Sequence, residues 1–249
     1  FGELFLSEII KKPVFDPKGE ITGRLKDIVI VKGDPLPRVS AIVIEKKRQL
    51  FKIHWEQINL FNKRIISTYL EESLLEPYDL SEEDLLAVRD ILDKQIVDVY
   101  GAKVVKVNDI KLEGYDEEAI LIAVDVGIRG KFRRAGIERI IENFLELIHA
   151  QIPHHLISWN YIQPLKPKLK TIALTVPRQM ISELHPADIA EIISKVTKDE
   201  GAHLFKDLDV ETAAWAFFEL QLEKQAYIIT SIDIEKNEEI IEEMPLNEA

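Results

Sequence analysis

The last quarter of the chain repeats itself every twelve residues, and no other feature of the sequence limits the fold as strongly. His185-Pro186-Ala187-Asp188, Thr197-Lys198-Asp199-Glu200, Asp209-Val210-Glu211-Thr212, Gln221-Leu222-Glu223-Lys224 and Asp233-Ile234-Glu235-Lys236 open five successive blocks. Position eight is Ile192, Leu204, Ala216, Ile228 and Ile240, and position nine is Ile193, Phe205, Phe217, Ile229 and Ile241. Position twelve is Val196, Leu208, Leu220, Ile232 and Met244; position six is alanine in four blocks (Ala190, Ala202, Ala214, Ala226) and Glu238 in the fifth. This is the cadence of short helices separated by tight turns. Thr197, Asp209 and Asp233 are suited to accept hydrogen bonds from the free N–H groups of the turn they open. Carboxylates at positions three and four favour the positive end of each helix. Helices of about eight to ten residues do not hold alone, because nucleation costs more than so few bonds return. They must stack, burying positions six, eight, nine and twelve in a superhelix.

A longer repeat organises the first 165 residues. Glu8 to Ile28 aligns without gaps on Asp90 to Ile110, an offset of 82, with Ile9/Ile91, Lys12/Lys94, Asp16/Asp98, Gly19/Gly101, Asp27/Asp109 and Ile28/Ile110 identical. The same offset carries Val39–Ile44 onto Leu121–Val126. Ile53-His54-Trp55-Glu56-Gln57-Ile58 returns at Ile157-Ser158-Trp159-Asn160-Tyr161-Ile162, now offset by 104, so the second copy holds an insertion of 22 residues. Val14-Phe15, Leu25–Val31, Val39–Glu45 and Gln49–His54 are rich in β-branched and aromatic residues, separated by the turn formers Asp16-Pro17-Lys18-Gly19 and Lys32-Gly33-Asp34-Pro35. Each copy reads as a small antiparallel barrel. The insertion predicts an amphipathic helix over about 131–150, with Ile137, Ile140, Ile141, Phe144, Leu145 and Ile148 on one face. The fold class expected is multi-domain α and β: a first barrel over 1–76, a second over 84–168, and an all-α superhelix of short helices over 172–249.

Charge separates the parts. Of the net −12, most lies after residue 184, where sixteen acidic residues face five basic ones. That argues against nucleic acid or an anionic membrane as the partner of the helices, and suits cations or a basic protein surface. No cysteine is present, which removes disulfides, thiolate metal sites and thiol nucleophiles and fits a reducing cytoplasm. The longest apolar run, Ala119–Ile128, carries Asp125 and is too short to span a bilayer. Phe1 is not an initiator methionine, and the chain is expected to be part of something longer. No phosphate loop, nucleophile elbow or His-Glu-x-x-His motif occurs, so no enzyme is expected.

Two resemblances follow from these residues. Gly19-x-x-x-Gly23-x-x-x-Asp27, then a hydrophobic strand, a turn, a second strand ending at Ala41-Ile42-Val43-Ile44 and a Trp-containing strand, resemble a PRC-barrel domain over about 4–62, with a second copy over about 88–165 in which Val105 replaces Gly23. The resemblance implies a docking or adaptor role without catalysis. Leu184-His185-Pro186-Ala187-Asp188-Ile189-Ala190-Glu191, the twelve-residue period and Glu242-Glu243-Met244-Pro245 resemble the intracellular N-terminal domain of MgtE-type magnesium transporters over about 176–249. This implies Mg2+ as ligand, with CBS domains of the same or a partner chain and a membrane transport domain as partners, on the cytoplasmic side of a membrane. A homodimer is left open.

Magnesium takes oxygen ligands, commonly one or two carboxylates with retained waters. Glu239 and Glu243 are four residues apart and Glu242 is three from Glu239, so one helix presents all three outside its apolar stripe. With Glu248 in the tail they are the candidate metal ligands; a solvated acidic face is the plainer alternative. His154-His155 reads as a loop, His185 as a helix-opening structural residue, and Trp55 and Trp159 as core. Arg129, Lys131, Arg133 and Arg134 form a basic cluster that could dock on RNA, a membrane or an acidic protein face. The functional expectation is a Mg2+-responsive regulatory region with docking barrels. Its alternative is a non-sensing scaffold whose barrels dock a ribosomal or membrane-associated protein.

Overall fold

The computed structural model describes residues 2–79, 84–99, 101–115, 117–147, 152, 155–164, 181 and 183–244. They gather in two compact units, one made of the described residues within 1–94 and 106–160, the other of those within 95–105 and from Tyr161 onward. As expected, the chain mixes a β part with a terminal run of helices.

The first copy contributes β1 (Glu3–Phe5), α1 (Leu6–Ile9), β2 (Pro13–Phe15), β3 (Ile21–Val31), β4 (Arg38–Lys46), β5 (Gln49–His54), β6 (Ile58–Phe61) and β7 (Ile66–Thr68). The second contributes β8 (Leu85–Leu86), a wide helical turn at Ala87–Ile91, β9 (Gln95–Asp98), β10 (Lys103–Lys106), β11 (Asp109–Tyr115) and β12 (Glu118–Asp125). It continues with α2 (Ile128–Arg134), α3 (Glu138–Leu147), β13 (Leu156–Ser158) and β14 (Ile162–Pro164). Both copies enter one curled sheet in the order β1-β11-β12-β4-β3-β2-β7-β6, with β13 on β12, β5 on β4 and β8 on β3. The copies therefore share a half-barrel instead of closing separately. Its interior is filled by Leu25, Ile28, Ile42, Ile44, Ile53 and Ile66 from the first copy and Ile110, Leu112, Leu121 and Val124 from the second, all buried.

The copies exchange their opening segments. β1 of the first pairs antiparallel with β11 of the second, Leu4 opposite Leu112. β8 of the second pairs antiparallel with β3 of the first, Leu86 opposite Val29. Local bonds recur at the offset of 82: Lys11 N–H donates to Leu25 O and Asp93 N–H to Val107 O, while Leu25 N–H donates to Lys12 O and Val107 N–H to Lys94 O. Bulges fall at matching places too, Val29/Ile30 and Lys111/Leu112.

Besides its insertion, the second copy departs from the first at the place of Gly23. A Cβ on Gly23 would stand 3.0 Å from Ile44 Cδ1 and 3.2 Å from Glu45 O, so the missing side chain lets β3 run close against β4 without crowding. Its counterpart is Val105, and there the long strand is interrupted: β10 ends at Lys106 and β11 starts at Asp109. β9 instead forms a three-stranded sheet with β10 and β14. The insertion is two helices, α2 and α3, because Gly136 at φ +72° ends the first before Ile137. Of its expected apolar face, Ile140 and Phe144 are exposed.

The second unit stacks α4 (Pro186–Lys195), α5 (Lys198–Lys206), α6 (Val210–Glu219), α7 (Leu222–Ser231) and α8 (Ile234–Glu243). α4 packs on α6 and α6 on α8, while α5 packs on α7, so successive helices alternate between two rows. Val97 and Val99 of the small sheet join the helical core.

Candidate functional site

Helices α4, α5 and α6 open on side-chain caps that the period selects, whereas Gln221 makes none at α7. Thr197 Oγ1 accepts from Glu200 N–H, and Asp209 Oδ1 from Thr212 N–H at 2.9 Å. His185 Nδ1 accepts from Ala187 N–H at 3.3 Å, which makes it a helix-opening residue as expected. Asp233 occupies the same place in α8 but makes no side-chain cap bond.

Helix ends are closed by side chains from later blocks. Lys224 Nζ donates to Ile193 O and Val196 O at the end of α4, and Lys236 Nζ to Leu208 O after α5 and to Lys206 O. One position further on, Gln225 Nε2 donates to Phe217 O and Asn237 Nδ2 to Ile229 O. Positions four and five of the last two blocks thus cap C-terminal carbonyls of other helices.

Burial follows the period in the first three blocks and fails in the last two at positions six and nine. Ala190, Ala202 and Ala214 are buried, but Ala226 and Glu238 are exposed, which corrects the expectation that position six is core throughout. Position eight is buried in all five blocks. Position nine is buried in Ile193, Phe205 and Phe217, then opens to 41% exposed at Ile229 and 58% at Ile241. The expectation that position nine is core throughout is corrected for these two. Among the described residues no further helix follows to cover α7 and α8.

Carboxylates occupy the outside. Glu191, Asp199, Asp209, Glu211, Glu219, Glu223, Asp233 and Glu235 are exposed, as are the candidate ligands Glu239, Glu242 and Glu243 on α8. Some are engaged: Glu191 by Lys195, Glu223 by Lys198 at 2.8 Å, Asp199 by the Tyr227 hydroxyl. Glu248 lies outside the described residues. Among the described residues no three His, Asp or Glu side chains gather into a group able to hold a metal. The structure therefore brings Glu239, Glu242 and Glu243 to one exposed helix and adds no further ligand to them.

The basic cluster is spent inside the protein. Arg129 pairs with Glu138 at 2.7 Å and with Glu142. Arg133 reaches Asp109 at 3.0 Å, Asp125 at 3.3 Å and Glu138 at 3.1 Å, with its guanidinium 3.4 Å from the Phe5 ring centre. Arg134 pairs with Asp93 at 2.7 Å, and with Lys106 it holds the Asp93 carboxyl down to about 2. Lys131 and Arg134 are exposed, and Lys131 makes no ion pair among the described residues. His154 lies outside the described residues, and the His155 side chain packs against Gly127.

The identical aspartates of the repeat prove to be reciprocal caps. Asp27 accepts from the N–H groups of Val88 and Arg89, at 2.7 and 3.1 Å, in the opening turn of the second copy. Asp109 accepts from Ser7 N–H at 3.1 Å and from its hydroxyl at 2.5 Å, at the start of α1 in the first. Burial pushes the Asp27 carboxyl up to about 6 against the pull of those N–H groups. The same cause raises Asp109, opposed by Ser7, Ile110 and Arg133.

With the strand exchange, the two-row helical array and its outward carboxylates in view, the comparisons agree with the architecture. Residues 1–74 match the PRC-barrel domain, and residues 184–249 match the MgtE intracellular N domain. The chain joins these two modules. No curated protein matches it. Among the described residues no helix is long and apolar enough to cross a membrane.

The two Trp residues of the repeat fare differently. Trp159 is buried as expected, whereas Trp55 is only half-buried and donates its indole N–H to Glu117 O at 2.7 Å. Trp55 is thereby moved from core to surface. The sequence offered no sign of this, since the two Trp share one local pattern.

Proposed function

We propose that this chain is a non-catalytic regulatory region of a magnesium-transporter-like protein, acting at the cytoplasmic face of a membrane. The MgtE-type array is its Mg2+-responsive part and the PRC-type sheet its docking part. The observation that carries the reading is that every block of a family-matched helical array turns carboxylates outward. Like charges on a helix face repel by a few tenths of a kcal/mol per pair. Across an interface with CBS domains, of the same or a partner chain, that repulsion holds the surfaces apart. A hard divalent ion that keeps most of its waters relieves it, and so shifts the population toward the closed arrangement. Glu239, Glu242 and Glu243 are the side chains assigned to this contact.

Isothermal titration of the chain with MgCl2 tests the reading. The expected result is weak binding, on the order of 1 mM as for loosely built sites, whose heat falls by half or more in the E239Q/E242Q/E243Q variant. Titration heat unchanged by that variant would remove these residues from the site, and no magnesium-dependent heat would remove the sensing role. A second reading, a scaffold without metal sensing, is favoured by the surface groove of the PRC-type sheet described next.

A further inference from the structure

The unit that holds the shared sheet carries an open groove of about 890 Å3, lined by Trp55, Leu60, Tyr69 and Tyr115 with Glu56 and Glu117 at its rim. Three features give it a chemical character. First, one wall is β6, the last strand in the sheet order, whose partner among the described residues is β7. Successive side chains of a strand point to opposite faces. The groove is touched by every residue from Ile58 to Asn62, across the bulge between Ile58 and Leu60, along a strand that has no second partner among the described residues. An edge of this kind presents backbone N–H and C=O groups to whatever lies beside it.

Second, its large apolar side chains are open to solvent: Leu60 is 44%, Tyr69 63% and Tyr115 65% exposed. Trp55 stands edge-on to Phe61 with ring centres 5.0 Å apart, and its bond to Glu117 O ties the loop before β6 to the β11–β12 hairpin on the opposite wall. Both walls are thus fixed in advance, which lowers the ordering cost of a ligand. Third, the rim is acidic. Arg38 is already paired with Glu118, leaving Glu56 and Glu117 with no ion pair among the described residues.

We infer that this groove binds an extended peptide segment of a partner protein as an added strand on β6. Its apolar or aromatic side chains would enter between Trp55, Leu60, Tyr69 and Tyr115, and its Lys or Arg side chains would meet Glu56 and Glu117. Main-chain pairing supplies affinity in such complexes, and alternate side chains supply selectivity. The carboxylate excess sets the sign of the partner, since a like charge placed against it costs binding. The inference rests on the docking role given to the PRC-type sheet and is independent of magnesium.

The test uses three labelled eight-residue peptides with the whole chain, read by fluorescence anisotropy and by backbone NMR shifts. One alternates valine and lysine, one alternates valine and glutamate, and one is the valine–lysine peptide with alternate backbone nitrogens methylated. The expected result is saturable binding of the first peptide, with shifts at Ile58–Asn62 and Gly114–Glu118. The glutamate and N-methylated peptides should bind at least tenfold more weakly. E56K/E117K, at two exposed positions, should weaken the lysine peptide at least tenfold with an unchanged circular dichroism spectrum. Equal binding of the lysine and glutamate peptides would overturn the inference, as would absence of binding. Shifts confined to another face would overturn the groove while leaving a docking role standing. Concentration-dependent self-association that covers β6 would assign the groove to a second copy of the chain and overturn the partner peptide.

Discussion

Asp27 and Asp109 do the same job in the two copies, yet among the described residues only Asp109 is met by a cation. Asp27 is held by the backbone N–H groups of Ile28, Val88 and Arg89, and burial raises its carboxyl from 3.8 to about 6. A folded value above the unfolded one means that the proton stabilises the fold. This contribution is complete below about pH 3.8 and is lost as pH rises through 6. A rise of that size corresponds to about 2–3 kcal/mol. Urea unfolding of the native chain and of Asp27→Asn should therefore show a stability difference that moves in favour of the native chain by about 2 kcal/mol between pH 7 and pH 4; a difference flat in pH would contradict the assignment. Asp109 is instead met by Arg133, which also lies against Asp125. Removing the guanidinium strands two buried carboxylates, so Arg133→Met should cost about 3–5 kcal/mol at pH 7 in the same assay. The identity Asp27/Asp109 was visible in the sequence; its reason was not. Sequence alignment of the copies shows that they are alike, but not that each carboxylate serves the other copy's backbone. Arg133 looked like part of an open basic cluster because nothing in a linear sequence marks three carboxylates folding back over it.

The helical elements divide along the same line between what a period reveals and what it hides. Position eight was legible because one apolar residue per turn-and-helix unit must face the core whatever the neighbours are, and all five are buried. Position nine depends on a helix lying beyond it, so Phe205 is fully buried while Ile229 is 41% exposed. Phe205→Ala should cost about 3–5 kcal/mol by loss of apolar contact and the cavity left behind, whereas Ile229→Ala should cost under about 1 kcal/mol as a surface change. Equal losses in thermal or urea unfolding would contradict the graded burial. Lys224 and Lys236 show a hidden layer. Both fill position four, where the local pattern says only that a charge is tolerated, and both reach carbonyls about thirty positions earlier. Lys224→Met should cost about 1 kcal/mol, the net worth of such a bond, and a neutral effect would show that water caps Ile193 and Val196 equally well. In the β part, short strands and turns were readable from β-branched runs. The shared sheet was not, because pairing between copies is a long-range choice that local pattern does not carry. Gly23 and Val105 come nearest to a written signal: one permits the close strand, and the other marks where the long strand breaks.

At the scale of the whole molecule the chain joins two modules of different character, a shared β sheet made from two exchanged copies and an acidic stack of five short helices. The acidic excess lies in the second, and the exposed aromatic groove in the first. In the proposed reading, sensing and docking fall to separate surfaces, so disabling either should leave the other intact. The account stands most directly on whether the helical array answers to a divalent ion more than to ionic strength alone. Thermal unfolding of the chain in 10 mM MgCl2, beside 10 mM CaCl2 and NaCl matched in ionic strength, measures this. A ligand at about ten times its dissociation constant stabilises by about 1.4 kcal/mol, or roughly 3–6 °C for a protein of this size. The account predicts a rise of that order in MgCl2, absent in NaCl and reduced in E239Q/E242Q/E243Q. Identical midpoints in MgCl2 and matched NaCl would contradict it.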